Sequence, residues 1–137
     1  MIPKLEEFSH LPRFPDGRIN YTGCTRAPVL NCVVRYEDRV LLLQRSDKVA
    51  NYKGYWNFVA GFIDEPKSLE EKAVEEASEE LGITKQDILN VKSSEPYEIF
   101  DPTLKKTWIV HPVLIDLKRK PEIKLDWEHT DHAWILP

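Results

Sequence analysis

At 137 residues, with 42% apolar and 31% charged side chains, the chain has the composition of one ordinary folded domain with its own core. A net charge of -4 argues against a general nucleic-acid binder, which carries a basic face. It leaves room for an anionic small substrate, because bound cations can reverse the local field. No apolar stretch approaches the roughly 20 residues needed to span a bilayer, so no membrane partner is expected.

Met1 to Glu7 lack a basic region followed by an apolar run, so no signal peptide is expected and the cytoplasm is the expected location. Residues 1–27, with Pro3, Pro12, Pro15, Gly17 and Gly23, read as an irregular lead-in with one short strand near Ile19–Tyr21. Residues 28–137 read as the domain proper. Cys24 and Cys32 match no common zinc spacing and read as free thiols. Val29–Tyr36 and Arg39–Arg45, separated by Glu37-Asp38, form a predicted hairpin. The near-continuous apolar run of its second strand predicts burial on both faces.

After a polar loop from Ser46 to Tyr55, Trp56–Gly61 is a predicted short strand. A helix is predicted over Leu69–Leu81, with Ser68 as N-cap, Glu71 three residues on, and Gly82 closing the C-terminus. Strands follow at Glu95–Phe100, Thr107–Leu117, Ile123–Trp127 and Ala133–Leu136. Pro112 marks an edge or a bulge in the long one. A mixed sheet with one strong helix is an α/β or α+β pattern.

The helix is unusual in its charges. Six glutamates lie between Leu69 and Leu81, whose apolar face is Leu69, Ala73, Val74, Ala77 and Leu81. Glu76, Glu79 and Glu80 meet on one side at the edge of that face, and Glu80 falls within the apolar arc. Like charges at this spacing cost roughly 0.2–0.5 kcal/mol per pair, and more when desolvated. Divalent cations are the natural compensation, and oxygen-only ligands suit Mg²⁺, Mn²⁺ or Ca²⁺. A solvated acidic face is the competing reading.

The run from Gly61 to Ile83 resembles the Nudix hydrolase signature, G-x5-E-x7-R-E-U-x-E-E-x-G-U with U aliphatic. Glu76, Ala77, Glu79, Glu80, Gly82 and Ile83 fall in register. The Leu41-Leu42-Leu43-Gln44-Arg45 strand, Tyr55-Trp56-Asn57, and Glu128-His129 with Trp134 are also similar to family members, so the resemblance covers about residues 28–137. Two positions depart from the signature: its first glutamate is Lys67 and its arginine is Glu75. Ala60 stands where glycine is common. Family members often continue into a second helix beyond the position of Pro137.

The resemblance implies a Nudix-type α/β/α sandwich with a mixed β-sheet. It also implies hydrolysis of a phosphoanhydride in a nucleoside diphosphate linked to another moiety, with Mg²⁺ or Mn²⁺ as cofactor. Bridging cations would bring the polyphosphate to the carboxylates and acidify the attacking water. By position in the family pattern, Glu76 and Glu80 bind metal, Glu79 binds metal or acts as general base, and the Ala60 carbonyl is a neutral ligand. Glu128 is the expected carboxylate from outside the helix, with Glu98 and Asp101 as competitors.

Arg45 is a candidate phosphate contact. Trp56 and Tyr97, with Trp127, are candidates for stacking a base, against a core role for each. The spacing of His111, His129 and His132 is unconvincing for zinc. Because the signature's first glutamate and arginine are expected to pair, Lys67 and Glu75 read as that pair with charges exchanged. The alternative function is a nucleotide-binding or regulatory module with little catalysis. An isopentenyl diphosphate isomerase-like enzyme would need a catalytic cysteine, and neither Cys24 nor Cys32 is well placed. The expected partner is a small nucleotide-type substrate; a homodimer is compatible with the sequence.

Overall fold

The computed structural model describes residues 5–137. Its spine is two long parallel strands, β1 (Arg26–Tyr36) and β7 (Lys106–Leu117), paired from Arg26↔Thr107 to Tyr36↔Leu117. Along β1, Leu30, Cys32 and Val34 are buried while Asn31 and Val33 are half-buried, the period-two signature of a strand with one face in the core. β2 (Arg39–Arg45) returns antiparallel to β1 through the Glu37-Asp38 turn, where Glu37 takes a left-handed φ of 55°. Val40, Leu41 and Leu43 of β2 are buried and Leu42 is half-buried, so the apolar run lies largely inside.

The predicted strand at Trp56–Gly61 is two strands with different partners. β3 (Trp56–Asn57) pairs with β2, whereas β4 (Val59–Phe62) pairs with β1, and Phe58 is the break. On the far flank, β5 (Ile88–Ser93) and β6 (Tyr97–Asp101) both run antiparallel to β7. β8 (His129–Ile135) pairs with β2, completing a mixed eight-stranded sheet.

Two expectations need correction, and one strand was not expected. No strand forms at Ile19–Tyr21; Ile19 makes an isolated bridge to Arg13. β5 escaped the sequence reading because a register shift between Ile88 and Asn90 breaks its alternation and Leu89 is exposed. Ile123–Trp127 is not a strand. Its alternation arises because Ile123 and Leu125 pack on the core while Lys124 N–H donates to the Leu81 carbonyl at 2.8 Å. Pro112 meets the expected irregularity, since three residues (94–96) of the neighbouring flank stand opposite two (111–112) of β7. β7 is flanked by β1 on one side, and on the other Pro112 falls between the last rung of β5 (Ser93↔Val113) and the first of β6 (Tyr97↔Val110), where no ladder bond is required of it.

The helix α1 spans Leu69–Leu81. Ser68 Oγ accepts from Glu71 N–H at 3.1 Å, and Gly82 closes the C-terminus at φ 75°. Leu69, Ala73, Ala77 and Leu81 are each no more than 1% exposed and pack with residues of β1, β4 and β7 in the main core. Val74, expected on the buried face, is half-buried; Lys72 takes its place inside. The buried arc is therefore rotated toward a row of charged residues, Lys72, Glu76 and Glu80, at i, i+4 and i+8.

From residue 5 onward the lead-in is tied down, and residues 1–4 lie outside the described residues. Phe8, Ile19, Tyr21 and Ala27 form a second small core. Tyr21 Oη donates to the Ile63 carbonyl at 2.5 Å, and Ile19 N–H to the Asp64 carbonyl at 2.9 Å. Both bonds hold the loop between β4 and α1, which carries the start of the acidic motif.

Candidate functional site

A cleft of about 710 Å³ opens where the end of β2, the β3–β4 segment, α1 and the turn before β8 converge. Ala60, Glu76, Glu79, Glu128, Arg45, Trp56 and Tyr97 all line it, so the fold gathers residues from five separate parts of the chain. The volume is in the range of small-molecule sites. Trp56, Tyr97 and Trp127 are 44%, 46% and 61% exposed and all face this cleft, so a core role is excluded for each.

The three helix glutamates do not share one environment. Glu79 is exposed on the cleft rim, Glu76 is largely covered, and Glu80 is only 2% exposed, beneath the other two. Burial raises the Glu80 carboxyl to about 10, helped by the neighbouring Glu76 and Glu128 charges. Burial also raises Glu76, opposed by the Lys72 ammonium, and raises Glu128, with Asp126 adding to the effect and Arg45 opposing it.

Gly61 explains how the Glu76 carboxylate fits. A Cβ built there would lie 2.8 Å from Glu76 Cδ, so a larger residue would displace the carboxylate from this position. Glu80 Oε2 and His129 Nε2 are buried without a hydrogen-bond partner among the described residues. A converging set of carboxylates, one of them orphaned in a dry environment, fits a divalent cation better than it fits an empty interior.

The competing carboxylates are engaged elsewhere. Glu98 pairs with Arg26 at 2.6 Å, and Asp101 accepts from Tyr52 Oη and from the Thr103 and Leu104 N–H groups. Arg45 donates through Nε to the Asn51 carbonyl at 3.0 Å, which orients its guanidinium along the cleft wall. Cys24 and Cys32 are both free thiols; Cys32 is fully buried in the core, where burial pushes its thiol far up, which removes it as a nucleophile.

Lys67 Nζ stands 2.8 Å from Glu75 Oε2 and 3.3 Å from Glu65 Oε1. The hydrogen bond that the Lys67 ammonium donates to Glu75 holds its pKa above the usual range. Both side chains are substantially exposed, so any bracing is screened by salt. In a double-mutant cycle, Lys67→Glu and Glu75→Arg are each expected to lower the melting temperature slightly, with the double change recovering the loss at low salt. Strictly additive losses would show that the pair does not act as a brace.

Lys72 was missed by the sequence reading. Its side chain is 7% exposed, with Nζ 3.3 Å from Asp64, 3.4 Å from Glu65 and 3.5 Å from Glu76. Burial alone would lower its pKa, but Asp64 and Glu76 more than offset that and keep it raised. The available signal was position: Lys72 is four residues before Glu76 and eight before Glu80, on the same row. Arg18, from the lead-in, also reaches the cleft and lies 3.7 Å from Asp64.

Solved structures with this arrangement of sheet and helix are numerous. A MutT Nudix hydrolase from Burkholderia pseudomallei superposes with a TM-score of 0.66 at 20% identity, covering 81% of this chain and 83% of that one. The dihydroneopterin triphosphate pyrophosphohydrolase of E. coli gives 0.63 at 21% identity, covering 80% of each. A C. elegans Ap4A hydrolase gives 0.61 at 21%, covering 79% and 78%. At such identities the likeness establishes the fold alone. A comparison with curated protein sequences gave no match. The family model described as the NUDIX domain matches residues 25–137, which include the signature helix, the whole sheet and every cleft residue predicted from sequence, so the chain belongs to the Nudix family.

Proposed function

We propose that this domain hydrolyses a phosphoanhydride bond in a nucleoside diphosphate linked to another moiety, with Mg²⁺ or Mn²⁺ as cofactor. The observation that carries the proposal is the cleft itself. Carboxylates of Glu76, Glu79 and Glu128 face Arg45 and the exposed rings of Trp56 and Tyr97 across one space. Acids alone would repel a polyphosphate, and aromatics alone would bind any apolar ligand. Together they suit an anion that arrives with cations and carries a flat base.

In this reading Glu76, Glu80, Glu128 and the Ala60 carbonyl hold metal. The metal would supply charge for the developing phosphoryl oxygens and an acidified water. Glu79, exposed on the rim, holds a further ion or takes the proton of the attacking water. Arg45 grips a phosphate oxygen, and Trp56 and Tyr97 hold the base. An Ap4A hydrolase and a dihydroneopterin triphosphate pyrophosphohydrolase share this fold, which supports the reaction class without selecting a substrate.

The direct test is a panel of nucleoside diphosphate derivatives with Mg²⁺ or Mn²⁺, read as release of phosphate, pyrophosphate or monophosphate. Release from at least one member is expected. Tight nucleotide binding without release from any would replace this reading with a regulatory, binding-only one.

Metal dependence has its own readout. An ion that binds only the folded cluster, at about 100 times its Kd, adds about 2.7 kcal/mol, which is several degrees of melting temperature for a domain of this size. Millimolar Mg²⁺ or Mn²⁺ is expected to produce that rise, and Glu76→Gln to reduce it. A melting curve indifferent to both ions would show that the carboxylate cluster binds neither of them.

A further inference from the structure

We infer that Glu80, Glu128 and His129 form a mixed oxygen–nitrogen site for one divalent transition ion, with His129 Nε2 as its nitrogen ligand. The inference rests on the metal reading of the cleft above, and adds to it a ligand and a class of metal.

One ligand atom from each of the three residues lies within 4.8 Å of the others. Glu80 and His129 are 2% and 1% exposed at their side chains, yet Glu80 Oε2 and His129 Nε2 have no hydrogen-bond partner among the described residues. Two unsatisfied polar atoms in one dry spot are costly unless something joins them. They do not bond to each other, and the other Glu80 oxygen, Oε1, stands 3.6 Å from Nε2, too far for a hydrogen bond. That separation is close to what two ligands of one ion require, since metal–ligand bonds of about 2.1 Å put neighbouring donors about 3.0–3.5 Å apart.

The tautomer is arranged for ligation. His129 Nδ1 lies 3.2 Å from Asp126 Oδ1, so the ring proton sits on Nδ1 and the Nε2 lone pair faces Glu80. A carboxylate behind a histidine is the usual way a metal-bound imidazole is oriented. Asp126 Oδ1 also accepts the Glu128 N–H at 3.2 Å, so one side chain positions both outer ligands. Ser46 pins the same turn to the end of β2, taking the Trp127 carbonyl at 2.9 Å and the Glu128 carbonyl at 2.7 Å. The turn is thus built from behind, not left to fluctuate.

This ligand set differs from the zinc site set aside on sequence grounds. That set needed His111 and His132, which sit on β7 and β8 and take no part here. One imidazole among carboxylates moves preference away from Mg²⁺ toward Mn²⁺, Co²⁺ or Zn²⁺.

The test uses wild-type protein loaded with Mn²⁺ and electron spin-echo modulation, which reports nitrogen bonded to the ion. A ¹⁴N coupling is expected, replaced by the ¹⁵N pattern when only histidine is ¹⁵N-labelled. His129→Gln should abolish the coupling and weaken Mn²⁺ binding tenfold or more, with a smaller loss for Mg²⁺. Should His129→Gln fail to fold, the labelling experiment on wild type still decides. Bound Mn²⁺ without any nitrogen coupling overturns this inference alone and leaves the hydrolase reading standing. No bound Mn²⁺ at all overturns both.

Discussion

Glu80→Gln is expected to fold normally and to lose turnover by about 10³-fold, which is about 4 kcal/mol of transition-state stabilisation. The glutamine keeps the shape of a side chain that is 2% exposed, so packing against the core is preserved. In the proposed reading it removes a metal ligand, because the amide cannot supply the anionic oxygen that a cation would draw out. Because the buried carboxylate is so reluctant to ionise without a cation, the metal-free variant should be at least as stable as the parent. Rates and melting curves measured on the same preparation separate the two effects. An unaltered rate would remove the metal role of this helix, and a collapse of the fold would show that Glu80 acts through structure instead.

Lys72→Met should behave in the opposite way, costing stability first. The ammonium is surrounded by Asp64, Glu65 and Glu76 within 3.5 Å and is almost wholly covered. Removing one partner of a buried charge network leaves the others uncompensated, typically at about 3–5 kcal/mol, or roughly 10 °C in melting temperature here. The loss should be partly reversed by millimolar Mn²⁺, which can replace the missing cation beside Glu76, so the metal-induced rise should exceed that of the parent. A variant melting within a degree or two of the parent would show that the ammonium compensates nothing.

The helix was legible from the chain because each of its signals is local. Ser68 and Glu71 mark its start, Gly82 its end, and the apolar spacing its inner face, and all act within a few residues of each other. The two long strands were legible for the same reason: β1 and β7 carry continuous apolar stretches bounded by charged turns. Short strands fared worse. β3 and β4 look like one run in sequence, and only their different partners, β2 and β1, divide them. Ile123–Trp127 has a strand's alternation and no strand partner, because its backbone bonds to the end of α1.

The sequence by itself determined the helix, its three glutamates at i, i+3 and i+4 on one edge, and the register of the signature from Gly61 to Ile83; the chemistry expected of them came from the resemblance. Only the tertiary structure decided how the three divide, with Glu79 on the rim, Glu76 beside Lys72, and Glu80 beneath them facing His129. Spacing along a helix specifies which side chains share a face, but not what the rest of the chain lays against that face. Here the turn at Asp126–His129, dozens of residues away, brings the imidazole to Glu80, and the lead-in holds the loop that carries Asp64. Those approaches are made by burial of distant apolar surface and by backbone bonds between remote segments, and no local pattern in the chain records them.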